Sequence, residues 1–199
     1  MNIGLVFAMK EEFMAALGDL ACKEVECKPY VVYELIGESK DKIYAVISGI
    51  GKVKSSSATA WLITKFCVDK IINLGTCGAT NNVARDGVIV INEVVNKDFD
   101  LAIIQGAEFK TPKIVLKKSS KPNVLYTADH FTISSNVSGY FDMEGYAVAD
   151  VASTFNVKCE IKKVVTDVID SGTQNNQFNE NLNSASGKLN VELRKLLEK

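Results

Sequence analysis

Ile3-Gly4-Leu5-Val6-Phe7-Ala8, followed at once by Met9-Lys10-Glu11-Glu12, is the stretch on which the fold turns. The first six residues carry no charge and are nearly all apolar, as in a strand buried on both faces. From Glu11 to Leu20 the pattern changes to a helix, with Phe13, Leu17 and Leu20 at helical spacing. A buried strand that passes straight into a helix opens an alternating α/β chain. The sequence downstream keeps that alternation. Tyr30 to Ile36 and Lys42 to Ile47 read as two strands joined by the polar turn Gly37 to Asp41. Ser55 to Phe66 reads as a helix, and Lys70 to Leu74 as a short strand running into a Gly75-Thr76-Cys77-Gly78 turn. Gly87 to Val95, Asn123 to Ala128 and Lys162 to Thr166 are further strands. Gly145 to Phe155 and Gly187 to Leu197 are helices, the last with Leu189, Leu193, Leu196 and Leu197 on one stripe. Asp98 to Lys121, with scattered lysines, and Asp170 to Ser186, rich in Asn, Gln, Ser and Gly, read as mobile loops. The expected architecture is a three-layer α/β sandwich, a mixed sheet flanked by helices, with residues 1–199 forming one domain.

Composition narrows the function classes. The 199 residues are 47% hydrophobic and 24% charged, with a formal net charge of -1, ordinary values for a soluble globular chain. No basic excess points to nucleic acid or an anionic membrane. Met1 to Glu12 lacks the layout of a signal peptide, and no apolar run is long enough to span a bilayer. Cys22, Cys27, Cys67, Cys77 and Cys159 are odd in number and form no C-x-x-C pair, so free thiols in a cytoplasmic setting are expected. His130 is the sole histidine, and no metal or organic cofactor is implied.

Four segments place polar chemistry beside apolar strands or at helix starts: Ala8 to Glu12, Asn73 to Ala79, Phe141 to Gly145, and Val165 to Asp170. In open α/β sheets ligands bind at the carboxyl ends of strands. Any one of these carboxylates, taken alone, is as well explained as a helix cap. Met9 and Met143 would serve equally as core residues, and Phe131 could simply pack.

In one order along the chain, these motifs resemble the 5′-methylthioadenosine/S-adenosylhomocysteine nucleosidases of the purine nucleoside phosphorylase superfamily. The resemblance rests on Ile3 to Glu12, on Ser48-Gly49-Ile50-Gly51-Lys52-Val53, on Asn73 to Gly78, on Asp142-Met143-Glu144, and on Thr166-Asp167-Val168. It implies that Asp167 is the general acid at purine N7 and that Glu12 activates the attacking water. It also implies that Glu144, with Asp142, grips the ribose, and that Ala8, Met9, Ile50 and Met143 wall the sugar and its 5′ substituent. Phe131 would stack on the base, with the backbone of Thr132 or Ile133 reading its edge. Phe178 would close over the purine, and Thr76, Cys77, Gly78 and Thr166 would complete the site. The resemblance implies a homodimer; the sequence itself offers Ile103, Ile104 and Phe109, apolar residues that would serve an interface or pack internally equally well. His130 receives no role, and Asp170 is read as capping a turn.

The superfamily divides by nucleophile. Similar phosphorylases grip phosphate with arginines, one of them at the position of Asn73. Here that position is neutral and the N-terminal turn carries Glu11 and Glu12, which repel phosphate and suit water. Hydrolysis is therefore the leading expectation. The alternatives are a phosphorylase using Lys10 or Arg85, an aminofutalosine-type nucleosidase, and a nucleoside-binding protein without turnover. Three departures from the family stand out: Lys163 in place of Arg, Asp142 in place of Glu, and a region from Asn96 to Asn123 that is short for the family.

Overall fold

A computed structural model describes residues 1–99 and 112–198. The chain begins with β1 (Asn2–Phe7), α1 (Lys10–Leu17), β2 (Ala21–Glu26), β3 (Val32–Ile36), β4 (Lys42–Ile47) and α2 (Lys52–Phe66). It continues through β5 (Lys70–Ala79), β6 (Ile89–Val90), β7 (Glu93–Asn96), β8 (Lys113–Val115), β9 (Val124–Thr127) and β10 (Tyr140–Asp142). It ends with α3 (Gly145–Thr154), β11 (Lys158–Val168), α4 (Gln174–Gly187) and α5 (Asn190–Leu197). The strands make one mixed sheet in the order β2-β3-β4-β1-β5-β10-β9-β7-β8, with β11 pairing β5 and β6.

Alternation along β1 explains the two covering layers. Ile3, Leu5 and Phe7 join Phe13 and Leu17 of α1 and Leu189, Leu193 and Leu197 around α5 on one face. Val6 points to the other face, into Ala58 and Leu62 of α2 and Val148 and Ala152 of α3. Gly4 sits where a Cβ would lie 2.8 Å from both Ile71 and Leu62, so that helix layer approaches the strand closely. A third apolar cluster, with Val94, Leu125, Tyr140 and Ile161, fills the β10-β9-β7 end.

β5 is the hinge of the topology. Its first residues pair with β1 in parallel, Ile3 opposite Lys70 through Val6 opposite Asn73. Its last two pair antiparallel with β10, Gly78 opposite Phe141 and Ala79 opposite Tyr140. The stretch between them, Leu74 to Cys77, pairs with no strand on that side among the described residues, while β11 runs along the whole other edge. The sheet thus forks at β5, and the polar motifs gather at the fork.

Several expectations are corrected. Asp170 to Ser186 is not a loop, because Gln174–Gly187 is helical. Its polar side chains make tertiary bonds to β11: Gln177 Oε1 accepts from Val168 N–H at 2.8 Å, and Asn181 Nδ2 donates to the Thr166 carbonyl at 2.9 Å. Part of Asp98 to Lys121 is a strand, Lys113–Val115, paired with β7. Residues 100–111, with Ile103, Ile104 and Phe109, lie outside the described residues. Gly75 to Gly78 continues β5 instead of turning. Gly87 to Val95 is two strands, since Ile89–Val90 pairs with β11, a pairing that the Ile91 N–H bond to the Ile161 carbonyl extends, whereas Glu93–Asn96 pairs with β8 and β9. The first helix stops at Leu17, where Gly18 takes a positive φ of 57°, and Gly187 closes α4 instead of opening the last helix.

Candidate active site

The fork encloses a cavity of about 270 Å³. It is lined by Ala8 and Met9 after β1, Glu12 of α1, Ile50 before α2, and Thr76, Cys77 and Gly78 of β5. Phe131 and Thr132 after β9, Asp142, Met143 and Glu144 at the end of β10, Thr166 and Asp167 of β11, and Phe178 of α4 complete the set read from the sequence. The structure adds His130, Phe141, Ile169, Asn175 and Asn179. Asn175, Phe178 and Asn179 share one face of α4 at spacings of three and four residues, so this helix forms a wall. Ile133 stays outside, its carbonyl accepting from Asp170 N–H at 3.1 Å and from Gln174 Nε2. Asp170, with a φ of 65°, sits in the turn that leads to α4. Asn73, Lys10 and Arg85 do not line the cavity, nor does any other lysine or arginine among the described residues.

Glu12 is buried at the start of α1 and is held by both oxygens. Oε2 accepts from Met9 N–H at 3.2 Å, the bond of a helix cap. Oε1 accepts from Thr76 N–H and Thr76 Oγ1, each at 2.8 Å. A Cβ on Gly75 would lie 3.1 Å from Oε1, so the glycine leaves room for the carboxylate. Three donors fix its plane.

Asp142, Glu144 and Lys163 form a buried charge cluster. Asp142 accepts from Thr127 Oγ1 at 2.6 Å, from Gly145 N–H at 2.8 Å, and from Lys163 Nζ at 2.9 Å. Its carboxylate reaches the cavity wall already engaged by these donors, where it anchors the start of α3. Lys163 is 1% exposed. Burial works to discharge it, but Asp142, Glu144 and Glu12 outweigh burial and hold its pKa above the ordinary value. Glu144 accepts one hydrogen bond, from Gly51 N–H at 2.9 Å. Burial, reinforced by the charge on Asp142, pushes its pKa up to about 7, against the pull of Lys163 and the Gly51 N–H.

Asp167 sits where β11 slips register against β5, between Val165 and Asp167. The bulge turns both Thr166 and Asp167 to the cavity. Oδ1 accepts from Thr166 Oγ1 at 2.7 Å, whereas Oδ2 is fully shielded and has no hydrogen-bond partner among the described residues. Burial raises its pKa, opposed by the Thr166 hydroxyl. Gly78 faces this oxygen, and a Cβ there would lie 2.9 Å from Oδ2. Phe131 meets Phe178 edge-on, with centroids 5.9 Å apart. Burial also lifts the Cys77 thiol far above its ordinary pKa, so it lines the cavity as a neutral group.

A forked α/β sheet enclosing a cavity of carboxylates and aromatics defines a class, and the sequence model of the phosphorylase superfamily matches residues 2–130. The chain is 30% identical over 183 residues to the 5′-methylthioadenosine/S-adenosylhomocysteine nucleosidase of Arabidopsis thaliana, covering 82% of this chain and 72% of that one. It belongs to the phosphorylase superfamily and, within it, to the 5′-methylthioadenosine/S-adenosylhomocysteine nucleosidase family. The nucleosidase of Helicobacter pylori shares the fold with a TM-score of 0.85 at 22% identity, covering 100% of this chain and 98% of that one. A futalosine hydrolase of the same organism superposes with a TM-score of 0.84 at 22% identity, covering 100% and 97%.

Proposed function

We propose that this chain hydrolyses the N-glycosidic bond of an adenine nucleoside of the 5′-methylthioadenosine/S-adenosylhomocysteine type, giving free adenine and the sugar. The carrying observation is the pairing of two unlike carboxyl groups in one cavity. Asp167 has a shielded, unpartnered oxygen and a raised pKa, and Glu12 is pinned by three donors. A shielded carboxyl group whose pKa burial raises suits a general acid, and a carboxylate fixed in place by donors suits the group that orients a water. Asp167 gives its proton to N7 of the base as the C1′–N9 bond breaks. Water adds to C1′ and passes its proton to Glu12, the division of labour of an inverting glycosidase. Glu144 holds the ribose hydroxyls, and its charge steadies the oxocarbenium-like sugar. Phe131 stacks on the base, Phe178, edge-on to Phe131, closes over it, and Met9, Met143 and Ile50 flank the sugar.

Water is favoured over phosphate as nucleophile because no lysine or arginine among the described residues lines the cavity, while Glu12 does. Base release from methylthioadenosine, S-adenosylhomocysteine, adenosine, inosine and an aminofutalosine-type nucleoside, with and without phosphate, tests this. Equal adenine release in both conditions supports the reading. A sugar 1-phosphate formed only with phosphate overturns it, as does tight nucleoside binding with no product, and preference for the aminofutalosine type replaces the substrate class. A homodimer, checked by sedimentation, and a cytoplasmic location belong to the same reading. All five cysteines are free, which suits a reducing compartment, and no helix among the described residues is long and apolar enough to cross a membrane.

A further inference from the structure

Lys52 opens α2 directly after the Ile50-Gly51 turn, with its side chain 18% exposed. Its ammonium donates to Asn96 Oδ1 at 2.9 Å, pairs with Asp98, and lies 3.6 Å from Asp129 Oδ2. Its backbone N–H donates to Asp129 Oδ1 at 2.8 Å, and Asp129 N–H donates to Asp98 Oδ2 at 2.8 Å. Three segments from distant parts of the chain therefore meet at one cation: the turn before α2, the residues after β7, and the loop after β9. Two of them carry the cavity. Gly51 supplies the hydrogen bond to Glu144, and Asp129 directly precedes His130, Phe131 and Thr132. Without the ammonium, Asp98 and Asp129 would face each other as like charges and draw the segments apart. Gly51 has little slack, because its φ is 97° and a Cβ there would lie 3.3 Å from Asp129 Oδ1.

We propose that Lys52 is a positioning residue for the nucleosidase reaction, holding the Gly51 N–H against Glu144 and the Phe131 loop against the cavity by clamping Asp98 to Asp129. This rests on the nucleosidase reading, so the wild-type chain is assayed first. If it releases no base, that reading falls before Lys52 is tested.

The experiment compares wild type, Lys52→Met and Lys52→Arg for adenine release from methylthioadenosine between pH 5 and 9. Misplacement of these segments should lower kcat/KM of Lys52→Met about 10- to 100-fold, with KM raised. Glu144 faces Asp142, Lys163, Glu12 and the Gly51 N–H, and only the last is disturbed by the change. Loss of a donor to the ionised form raises a carboxylate's pKa, so the acidic limb of the kcat/KM profile should move upward by about half a unit or more. Lys52→Arg should return the limb to its wild-type position. An unmoved limb in a folded Lys52→Met protein, whatever its rate, would overturn the proposal, as would a limb that arginine does not restore. Fluorescence of Trp61 reports folding. If Lys52→Met fails to fold, Asp129→Ala, which removes both acceptors that Lys52 holds on the loop after β9, carries the same test, with the same shift expected and an unmoved limb again overturning it.

Discussion

Replacing Glu144 with glutamine should stabilise the fold, and by more at higher pH. The carboxyl group is pushed up to about 7 in the fold from an ordinary 4.5, chiefly by burial and next by the charge on Asp142. A group with a raised folded pKa favours the native state while protonated in both states, and that advantage is lost as pH rises through the folded value. At pH 8 the shift of roughly 2.5 units corresponds to a cost of about 3 kcal/mol for keeping the ionised side chain in place. At pH 5 the remaining cost is only about 1 kcal/mol. Glutamine mimics the protonated acid, and its Oε1 can still accept from Gly51 N–H. The gain of Glu144→Gln over wild type should therefore grow from about 1 to about 3 kcal/mol between pH 5 and pH 8. For a chain of this length that is a rise in Tm of roughly 6 to 12 °C at pH 8. Thermal and urea unfolding followed by Trp61 fluorescence at pH 5, 6, 7 and 8 would measure it. A difference that stays flat across this range would refute the argument, since it would mean that the ionised carboxylate is accommodated without cost. Turnover should fall in the same variant, which separates the stability cost of this group from its use.

Asp167→Asn should lower kcat by about 10²- to 10⁴-fold while the protein stays folded, and near wild-type turnover would remove Asp167 as the acid. Gly78→Ala places a Cβ 2.8 Å from Ile169 Cδ1 and 2.9 Å from Asp167 Oδ2. Its kcat should drop by up to about 100-fold with a smaller change in KM, and unchanged steady-state kinetics would show that Asp167 has room to move. Lys163→Met strips Asp142 of its counter-ion at a site closed to water, and urea unfolding should report a loss of about 3–5 kcal/mol. A loss under about 1 kcal/mol would mean that Thr127 and Gly145 suffice to hold Asp142.

The central strands were legible because their residues are apolar for a purely local reason: a strand buried on both faces excludes charge. Ile3 to Ala8 and Lys42 to Ile47 fall almost where they were read. The edge strand β2 was not, since Ala21 to Glu26 is largely exposed and carries Lys23, Glu24 and Glu26, a composition shared with loops. Helix α4 was missed for a related reason. Its run of Asn, Gln and Ser has weak helix propensity, and only Gln174, Ala185 and Ser186 are buried. What supports it is bonding from Gln174, Gln177 and Asn181 to other segments, which no local pattern reveals. At the site, the motifs marked which residues converge but not how they engage one another. Asp142 sits in the cavity wall as expected, yet its oxygens are committed to Thr127, Gly145 and Lys163. The Asn175 and Asn179 contribution follows from α4 and went unread with it.

The fork at β5 also bears on how the molecule comes together. Residue 12 meets 76, 51 meets 144, and 78 meets 167, so no stretch of chain shorter than about a third of the protein holds even one of these encounters. A chain that has zipped β1 to β4 and β5 already owns much of its oily interior, including Leu5, Phe7 and Leu74. It has no pocket until β10 docks on the last two residues of β5 and β11 completes the opposite edge. The pocket therefore needs β10 and β11 in place on β5 as well as β1, and any change that frees either strand from β5 would dissolve it while leaving the pairing of β1 with β4 and β5 intact.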